Sequence, residues 1–411
     1  MSDSEVGTLA ARVGVIGTSK RAASYFRSLS DELRAEVQVA ALADPNGSNR
    51  RKFEELICPG STPQHYGDSA SMLADGPLDA VVIASPNSVH AEDAEQVMSR
   101  GIRLLLEKPV AVSVEECARL WNVYQQRPET QVFVGFVLRY TCFYEKIKQL
   151  IDAGSLGEIL AIDADENVGT YVTNALHSGW RKNDAMSGGF IVEKCCHDLD
   201  ILNWLVGAKA ERVFSIGRRT HFVPRPASEQ HPRFAAVEVP GNNMDYGDKS
   251  LEAMFFVAED SSPYQANIAS PDHQSVMVEY QQGTICTLTA VIGQPRPTRR
   301  IRIYGSDGSL SGDIDESRIF VDRPARVGNG WTREEIPVDA PSNGHHGGDG
   351  VIREAFWNAV TGRSAEGSRA GLKEGIESVL VGIAAERSRA SGQPVMMAPM
   401  REEVFGPDLL G

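Results

Sequence analysis

Two groups of residues in this sequence combine acidic and basic side chains in ways that folding alone does not require. The first is Glu107-Lys108-Pro109, which closes the apolar run Arg103–Leu106. Proline has no N–H to give to a strand, and a lysine is rarely buried without a partner, so we expect a functional role for this lysine. The second group is Glu193, His197 and Asp200, whose spacing predicts that they share one face of a helix or of the turn leading into it.

Together these side chains could handle a proton during the oxidation of an alcohol. When hydride leaves the carbon of an alcohol, the hydroxyl group must also lose a proton, and histidine is well suited to accept it. Lys108 could hold the alkoxide-like oxygen. Considered alone, His197 is better explained as a capping or packing residue, and its combination with Lys108 reverses that preference.

The sequence Cys195-Cys196-His197 also suggests a metal site, but its spacing argues against one. Adjacent cysteines do not easily point at one metal ion, and no distant partner has finger-like spacing. The six cysteines of this 411-residue chain are scattered, so we expect reduced thiols and assign no metal.

The first third of the chain has the pattern of a doubly wound parallel sheet. Short apolar runs alternate with helical stretches, as expected when helices connect strands that are buried on both faces. The predicted strands are RVGVIG, VQVAALAD, DAVVIAS, RLLLEKP and VFVGFV. Helices are predicted near Arg21, over 49–57 and 89–99, and from Ser113, where Glu116 completes a capping box. We predict a Rossmann dinucleotide-binding domain over residues 11–137.

A different pattern follows after about Tyr140. Helices are predicted over 143–153 and 198–206, and strands of alternating polarity read SVMVEYQQ, GTICTLTAV and RIRIYG. We predict an α+β domain on an antiparallel or mixed sheet over residues 138–411, with late helices at 350–361 and 372–388. The stretch 222–272 is rich in Pro, Ser and Asn and predicts long excursions from that sheet.

The turn after the first strand occupies the place of a Gly-x-Gly-x-x-Gly dinucleotide fingerprint, but reads Gly17-Thr18-Ser19-Lys20-Arg21-Ala22. A serine at the second glycine position crowds a pyrophosphate, so an ordinary strand-to-helix turn is an equal alternative. Asp44 ends the second strand, where an acid binds a ribose 2′-hydroxyl and repels a 2′-phosphate. NAD is therefore favoured over NADP, although Asp44 could instead cap a helix, and Arg50 and Arg51 could accommodate a phosphate.

Two further strand ends face the same predicted crevice. Ser85-Pro86-Asn87, with His90 just beyond, follows the third predicted strand, and Glu107-Lys108-Pro109 ends the fourth. Open α/β sheets bind ligands at the carboxyl ends of their strands, so we predict contacts to a nicotinamide ribose. Ordinary turn chemistry is the alternative explanation for Ser-Pro-Asn.

Composition narrows the classes of partner. The formal charge of -14 repels phosphate backbones and anionic lipids, which disfavours nucleic acid and membrane partners. The N-terminus lacks the basic and apolar segments of a signal peptide, and no window is long enough to cross a bilayer. We therefore expect a cytoplasmic protein.

The motifs VGVIG, ASPNSVH, LLLEKPVAVSVEE, SGGFIVEKCCHDLD and YGSDGSL together closely resemble the Gfo/Idh/MocA family of glucose-fructose oxidoreductase and inositol dehydrogenase. This resemblance implies a Rossmann domain followed by an α/β domain whose large open sheet forms a homodimer or homotetramer. It also implies that Lys108 binds the reacting hydroxyl, that Glu107 faces the cofactor, and that the Lys108-Pro109 bond is cis. His197 matches the catalytic base, and Glu193, in place of the usual aspartate, matches its orienting acid.

The same resemblance suggests further residues of the cleft. Trp180 and Arg181 match a pair that lines the cofactor site, and Arg139 and Asp200 are predicted to bind substrate. His177 and the run 345–349 lie in loops of the half of the chain that would face the same cleft. The implied activity is NAD(P)-dependent hydride transfer to or from a secondary alcohol of a sugar, inositol or sugar derivative. Alternatives are a non-catalytic sugar- or dinucleotide-sensing protein, and an NAD-dependent lyase or glycosidase with transient oxidation.

Overall fold

The computed structural model describes residues 10–27, 29–234, 262–264, 268–325, 330–339, 344–364 and 369–407. Its first sheet consists of β1 (Ala11–Ile16), β2 (Val37–Ala43), β3 (Gln64–Tyr66), β4 (Ala80–Ile83), β5 (Arg103–Leu106) and β6 (Val132–Val134). The strands are parallel and lie in the order β3-β2-β1-β4-β5-β6. Strands are added to one side of β1 first and then, from β4 on, to the other side. This change in strand order confirms the doubly wound fold and creates a crevice between β1 and β4. The prediction missed β3, because its three residues, Gln, His and Tyr, lack an apolar run.

The helices around this sheet are α1 (Lys20–Ser24), α2 (Asp31–Glu36), α3 (Gly47–Ile57), α4 (Ser69–Ala74), α5 (Asn87–Met98) and α6 (Val114–Gln126). The helix predicted near Arg21 is therefore two short helices, and α4 was not predicted. Ser113 caps α6 by accepting a hydrogen bond from Glu116 N. The Glu116 carboxylate accepts from Val112 N instead of completing the capping box at Ser113.

The second sheet is larger and mixed, as predicted. It contains β7 (Ile159–Gly169), β8 (Ala210–Arg218), β9 (His273–Tyr280), β10 (Ile285–Gln294), β11 (Arg300–Gly305), β12 (Ser309–Asp313), β13 (Arg318–Pro324), β14 (Trp331–Pro337) and β15 (Val395–Met396). Their order is β14-β13-β12-β11-β7-β10-β9-β8-β15, and only the β7–β10 pair is parallel. The helices of this half are α7 (Cys142–Asp152), α8 (Thr170–Leu176), α9 (Asp184–Ser187), α10 (Gly189–Glu193) and α11 (Cys196–Val206).

Three late helices complete the described chain: α12 (Gly348–Val360), α13 (Leu372–Ser391) and α14 (Met397–Phe405). Helix α12 returns to the first sheet, where Phe356 and Trp357 are fully buried and the indole of Trp357 donates to Tyr25 O over 2.7 Å. Helix α13 packs against both halves of the molecule, with Gly375 close to Val110 beside the first sheet. Most of the predicted excursion at 222–272 lies outside the described residues.

Candidate active site

A cleft of about 1060 Å³ runs along the carboxyl ends of β1, β2, β4 and β5. Residues of α8, α10 and α11 and the segment before α12 form its opposite wall. The cleft therefore lies at the switch point of the parallel sheet, where such folds bind ligands. It brings together every residue predicted for cofactor binding or catalysis, namely Gly17, Ser19, Lys20, Arg21, Asp44, Ser85, Pro86, Asn87, His90, Glu107, Lys108, Trp180, Arg181, Glu193 and His197.

The turn between β1 and α1 approaches the end of β4 closely. Gly17 has a φ of 79°, and a Cβ there would lie 2.4 Å from Ser85 N, so no other residue fits without moving backbone. The Ser19 hydroxyl donates to Ala84 O over 3.1 Å and accepts from Ala22 N over 3.3 Å. Serine at the second fingerprint position is thus the N-cap of α1, and its hydroxyl is engaged with the protein.

The carboxylate of Asp44 shapes the same turn from β2. Its Oδ2 accepts from both the N and the Oγ1 of Thr18 over 3.0 Å, and its Oδ1 accepts from Asn46 N over 2.8 Å. The side chain that caps α3 is Asn46, which accepts from Ser48 N over 2.9 Å, so the alternative role of Asp44 as the N-cap is wrong. Asp44 remains part of the cleft wall.

His90 joins the ends of β4 and β5. Its Nε2 lies 2.8 Å from Ser85 O, and its Nδ1 lies 2.7 Å from Pro109 O. The Lys108-Pro109 peptide bond is cis, which confirms that prediction. Asn87 extends the link to the second half of the molecule by donating to Ser187 O over 2.9 Å. The strand ends that carry the predicted site are therefore fixed to one another.

Glu107 lies at the centre of a buried ionic network. Its Oε1 accepts from Arg21 Nε and from Tyr25 OH, and its Oε2 accepts from Lys108 N over 3.1 Å. Burial alone would raise the pKa of Glu107, but the positive charges of Arg21 and Lys108 outweigh it and hold the pKa below its ordinary value. Arg21 also donates to Asp349 Oδ1 over 2.6 Å, which connects the first turn to the start of α12.

The second half of the molecule contributes Glu193 and His197 to the cleft, but it does not pair them. Lys108 Nζ donates to Glu193 O over 2.8 Å, and the Glu193 carboxylate accepts from Arg181 Nε over 2.8 Å. His197 is 3% exposed, and its Nδ1 has no hydrogen-bond partner among the described residues. Burial, followed by the positive charge of Lys108, holds the pKa of His197 well below its ordinary value.

The prediction that Glu193, His197 and Asp200 share one face of a helix or of the turn leading into it is wrong for Asp200, which does not line the cleft that contains the other two. Glu193 ends α10, whereas His197 and Asp200 belong to α11, and the chain turns between the two helices. Helix α11 is buried on more than one side, so residues one turn apart contact different elements. Asp200 forms a bidentate ion pair with Arg139, in which both hydrogen bonds are 2.7 Å long. Asp200 and Arg139 are buried and do not line the cleft.

The expectation that the run 345–349 reaches the cleft holds for His345 and Asp349, and Lys194 is a further lining residue that the prediction did not single out. Lys194 lines the cleft and lies 3.0 Å from Glu166, which also pairs with Arg299 over 2.7 Å. His345 and Asp349 line the cleft as well, and their side chains are 2.8 Å apart at His345 Nδ1. The glycines around the histidines in Gly-His-His-Gly-Gly-Asp mark an unusual backbone in this segment.

Comparison with known proteins identifies the family. Residues 11–136 match the model described as "Oxidoreductase family, NAD-binding Rossmann fold", and residues 148–397 match "Oxidoreductase family, C-terminal alpha/beta domain". The chain therefore belongs to this oxidoreductase family, Gfo/Idh/MocA, and its first domain is an NAD-binding Rossmann domain.

Individual relatives are distant. The protein YteT of Bacillus subtilis (strain 168) is 24% identical over 93% of this chain and 96% of its own length. Inositol 2-dehydrogenase 3 of Saccharopolyspora erythraea is 28% identical over 47% of this chain and 53% of its own length. Several matches to other curated relatives likewise span about half of each protein.

Solved structures share the fold across almost the whole chain. Levoglucosan dehydrogenase, in complex with NADH and L-sorbose, has a TM-score of 0.72 at 18% identity and covers 95% of this chain and 99% of its own. The apo scyllo-inositol dehydrogenase of Lactobacillus casei has a TM-score of 0.67 at 16% identity, with coverage of 95% and 99%. Among the described residues, no helix is long and apolar enough to cross a membrane.

Proposed function

We propose that this oxidoreductase transfers hydride between nicotinamide and a secondary alcohol or ketone of a sugar, inositol or sugar derivative. One observation supports this proposal above the others. Lys108 of the Rossmann half lies in the same cleft as Glu193 and His197 of the second half. A cation and a neutral imidazole at the end of a dinucleotide cleft are the groups that alcohol oxidation requires. The names of the relatives, an inositol 2-dehydrogenase and a levoglucosan dehydrogenase, favour a polyol substrate.

The cleft fits a dinucleotide. Gly17, Ser19, Lys20 and Arg21 line the cleft at the first strand-to-helix turn, where such folds bind the pyrophosphate. The other residues that would hold the cofactor are Asp44, Ser85, Pro86, Asn87, His90, Glu107, Trp180 and Arg181. When bound, the nicotinamide supplies the two-electron redox chemistry.

The protein would handle the reacting oxygen and its proton. Lys108 Nζ already lies 2.8 Å from a carbonyl oxygen, so its ammonium can donate to a substrate oxygen in the same way. His197 is held neutral by burial and by nearby positive charge, so it can accept the hydroxyl proton. Glu193 would have a positioning role. Its carboxylate binds Arg181, and its backbone carbonyl oxygen accepts a hydrogen bond from Lys108 Nζ and so positions that lysine.

We further propose that NAD is preferred over NADP. Asp44 places a carboxylate at the end of β2, where it would accept a ribose 2′-hydroxyl and repel a 2′-phosphate. Among the described residues, Asp44 Oδ1 accepts one hydrogen bond, from Asn46 N. A carboxylate oxygen can accept a second one, which could come from the ribose hydroxyl.

The decisive experiment is a screen of NAD and NADP against sugars, inositols and their keto forms, with nicotinamide absorbance and products followed together. We expect reversible absorbance changes matched by polyol oxidation, with NAD giving the higher kcat/KM. Product formation without net NADH would indicate a lyase or glycosidase instead. Tight binding of sugar and dinucleotide without any redox change would indicate a sensing protein.

The Lys108→Met variant tests the site itself. Loss of the ammonium should lower kcat by about 10²-fold or more, because the alkoxide-like oxygen loses its donor, while NADH affinity changes little. Lys373→Met, at an exposed position at the start of α13, is the matched control and should retain wild-type kcat. Equal turnover by the Lys108 variant and the wild-type protein would refute the proposal.

We also propose a cytoplasmic homodimer or homotetramer assembled through the outer face of the nine-stranded sheet. That face exposes Ile216, Met277, Ile285 and Tyr304, with exposed fractions between 37% and 62%. Strand register joins Ile285 and Tyr304 into one row through Ala161. The same face carries the ion pairs Arg212–Glu279 and Arg300–Asp165, and a two-fold axis would place its apolar side chains against those of a second copy.

A further inference from the structure

We propose that His345, held by Asp349, passes the substrate's hydroxyl proton from His197 to the solvent, and this proposal rests on the proposed dehydrogenase function. A buried base needs an exit route if it is to work in successive turnovers. His197 is 3% exposed, and burial, followed by the charges of Lys108, a protonated His345 and Lys194, lowers its pKa. An imidazole in this environment gives up a proton readily, so a second acceptor nearby would provide the exit route.

His345 lies close to His197, and its ring is held by Asp349. Its ring centre is 6.0 Å from that of His197, a separation that one bridging water can span. Its Nδ1 lies 2.8 Å from Asp349 Oδ2, and its side chain is 21% exposed. A carboxylate at Nδ1 fixes the tautomer in which Nε2 carries the lone pair, and it stabilises the imidazolium that forms when Nε2 accepts a proton.

Asp349 is an anion, so it can orient the His345 ring and stabilise its protonated form. Burial would raise the pKa of Asp349, but Arg21 and His345 outweigh burial and hold the pKa far below its ordinary value. Arg21 donates to the other carboxylate oxygen, Oδ1, over 2.6 Å, so the orientation of the carboxylate is fixed from both sides. This arrangement of a histidine oriented by a buried acid is the one that His197 lacks.

The backbone of the segment is unusual for a packing role. His345 and His346 have φ angles of 43° and 54°, in the left-handed region that residues with side chains avoid. A Cβ at Gly344 would lie 2.8 Å from Asp349 Oδ2, so the turn is shaped around the His345–Asp349 pair. Strain of this kind is retained where function requires a particular side-chain placement.

The proposed proton transfer requires no reactant other than the substrate, the nicotinamide and water. As the C–H electron pair leaves the substrate carbon as hydride to the nicotinamide, the carbon–oxygen double bond forms and the O–H bond breaks. The proton passes to His197, then through one water to His345 Nε2, and finally to bulk water. The substrate is oxidised by two electrons and the nicotinamide is reduced by two. The reverse reaction uses the same route in the opposite direction.

The first test reads the tautomer of His345 and does not depend on turnover. The protein is labelled with ¹⁵N-histidine, and the His345 resonances are assigned by their loss in His345→Asn. We expect the Nδ1–H tautomer in the wild-type protein and a mixture of tautomers in Asp349→Asn. An Nε2–H tautomer in the wild-type protein would overturn the relay, because Nε2 could not then accept a proton.

The second test measures turnover of myo-inositol and levoglucosan with NAD. His345→Gly tolerates the left-handed backbone and leaves a cavity, and we expect kcat to fall about 10²-fold with unchanged NADH affinity by fluorescence. Imidazole added to the buffer should restore part of this turnover, which a merely structural defect would not allow. His346→Asn, at the neighbouring left-handed position, is the control and should stay within about twofold of the wild type.

The outcomes separate this proposal from the proposed function. If the wild-type protein turns over neither polyol, the substrate assignment loses its support, and the tautomer measurement still decides the relay. If the wild type is active but His345→Gly keeps full turnover, or loses turnover that imidazole does not restore, the relay is refuted while the dehydrogenase function stands.

Discussion

At the scale of single residues, Arg21 is the cation on which two buried carboxylates depend. It contacts Glu107 and Asp349, whose side chains are less than 10% exposed. Arg21→Gln leaves both anions buried without their partner, and we expect a loss of roughly 3 kcal/mol in the free energy of unfolding at pH 7. Arg119→Gln, which breaks a more exposed ion pair with Glu95, should cost less than about 1 kcal/mol. Urea denaturation of both variants measures the difference.

Acid should remove the difference between Arg21→Gln and the wild type. Glu107 and Asp349 have pKa values held below the ordinary carboxyl range, so the unfolded state binds more protons than the folded state below about pH 4. The stability that these carboxylates contribute is therefore fully present above that pH and lost as the pH falls through their folded-state pKa values. Denaturation curves of variant and wild type should converge on acidification. A constant gap down to pH 3 would contradict the ionic explanation.

At the scale of elements, α12 joins the two halves of the active site. It packs on the first sheet through Phe356 and Trp357, and Asp349 in its first turn reaches Arg21 and His345. Phe356→Ala should lower the free energy of unfolding by about 3–5 kcal/mol, because it opens a cavity between α12 and Phe133.

Val351→Ala on the same helix is the matched control for Phe356→Ala. Val351 is 39% exposed, so its truncation should cost below about 1 kcal/mol. Guanidinium denaturation checks both variants. A cost at Phe356 no larger than that at Val351 would show that α12 is not part of the core of the first sheet.

At the scale of the whole molecule, we expect the outer face of the nine-stranded sheet to form the interface of the proposed oligomer. Met277 is 48% exposed and pairs in register with Phe214 and Thr287, so a lysine there leaves the fold intact and puts a charge into the proposed interface. We expect Met277→Lys to lower the oligomer fraction by sedimentation equilibrium, whereas Val351→Lys, outside the sheet, should leave it unchanged. A monomeric wild-type protein at micromolar concentration would refute the proposed assembly.

Local sequence pattern was sufficient to predict the first sheet and the motif at the end of β5. Alternating apolar runs and helical stretches predicted the doubly wound sheet, because buried parallel strands must be apolar on both faces. Glu107-Lys108-Pro109 stood out because its residues contradict that pattern at a strand end. The polar strand β3 and the short helix α4 carried no such pattern and were missed.

Which side chains contact one another in the cleft depends on tertiary packing, and the sequence pattern did not predict it. Glu193, His197 and Asp200 have helical spacing, yet a turn separates Glu193 from α11, and Asp200 pairs with Arg139 away from the cleft. Asp349 reaches Arg21 from 328 positions away in the chain and also holds His345. Spacing in sequence limits the neighbours within one helix, but contacts between helices depend on how whole elements pack, and that information lies in the folded core.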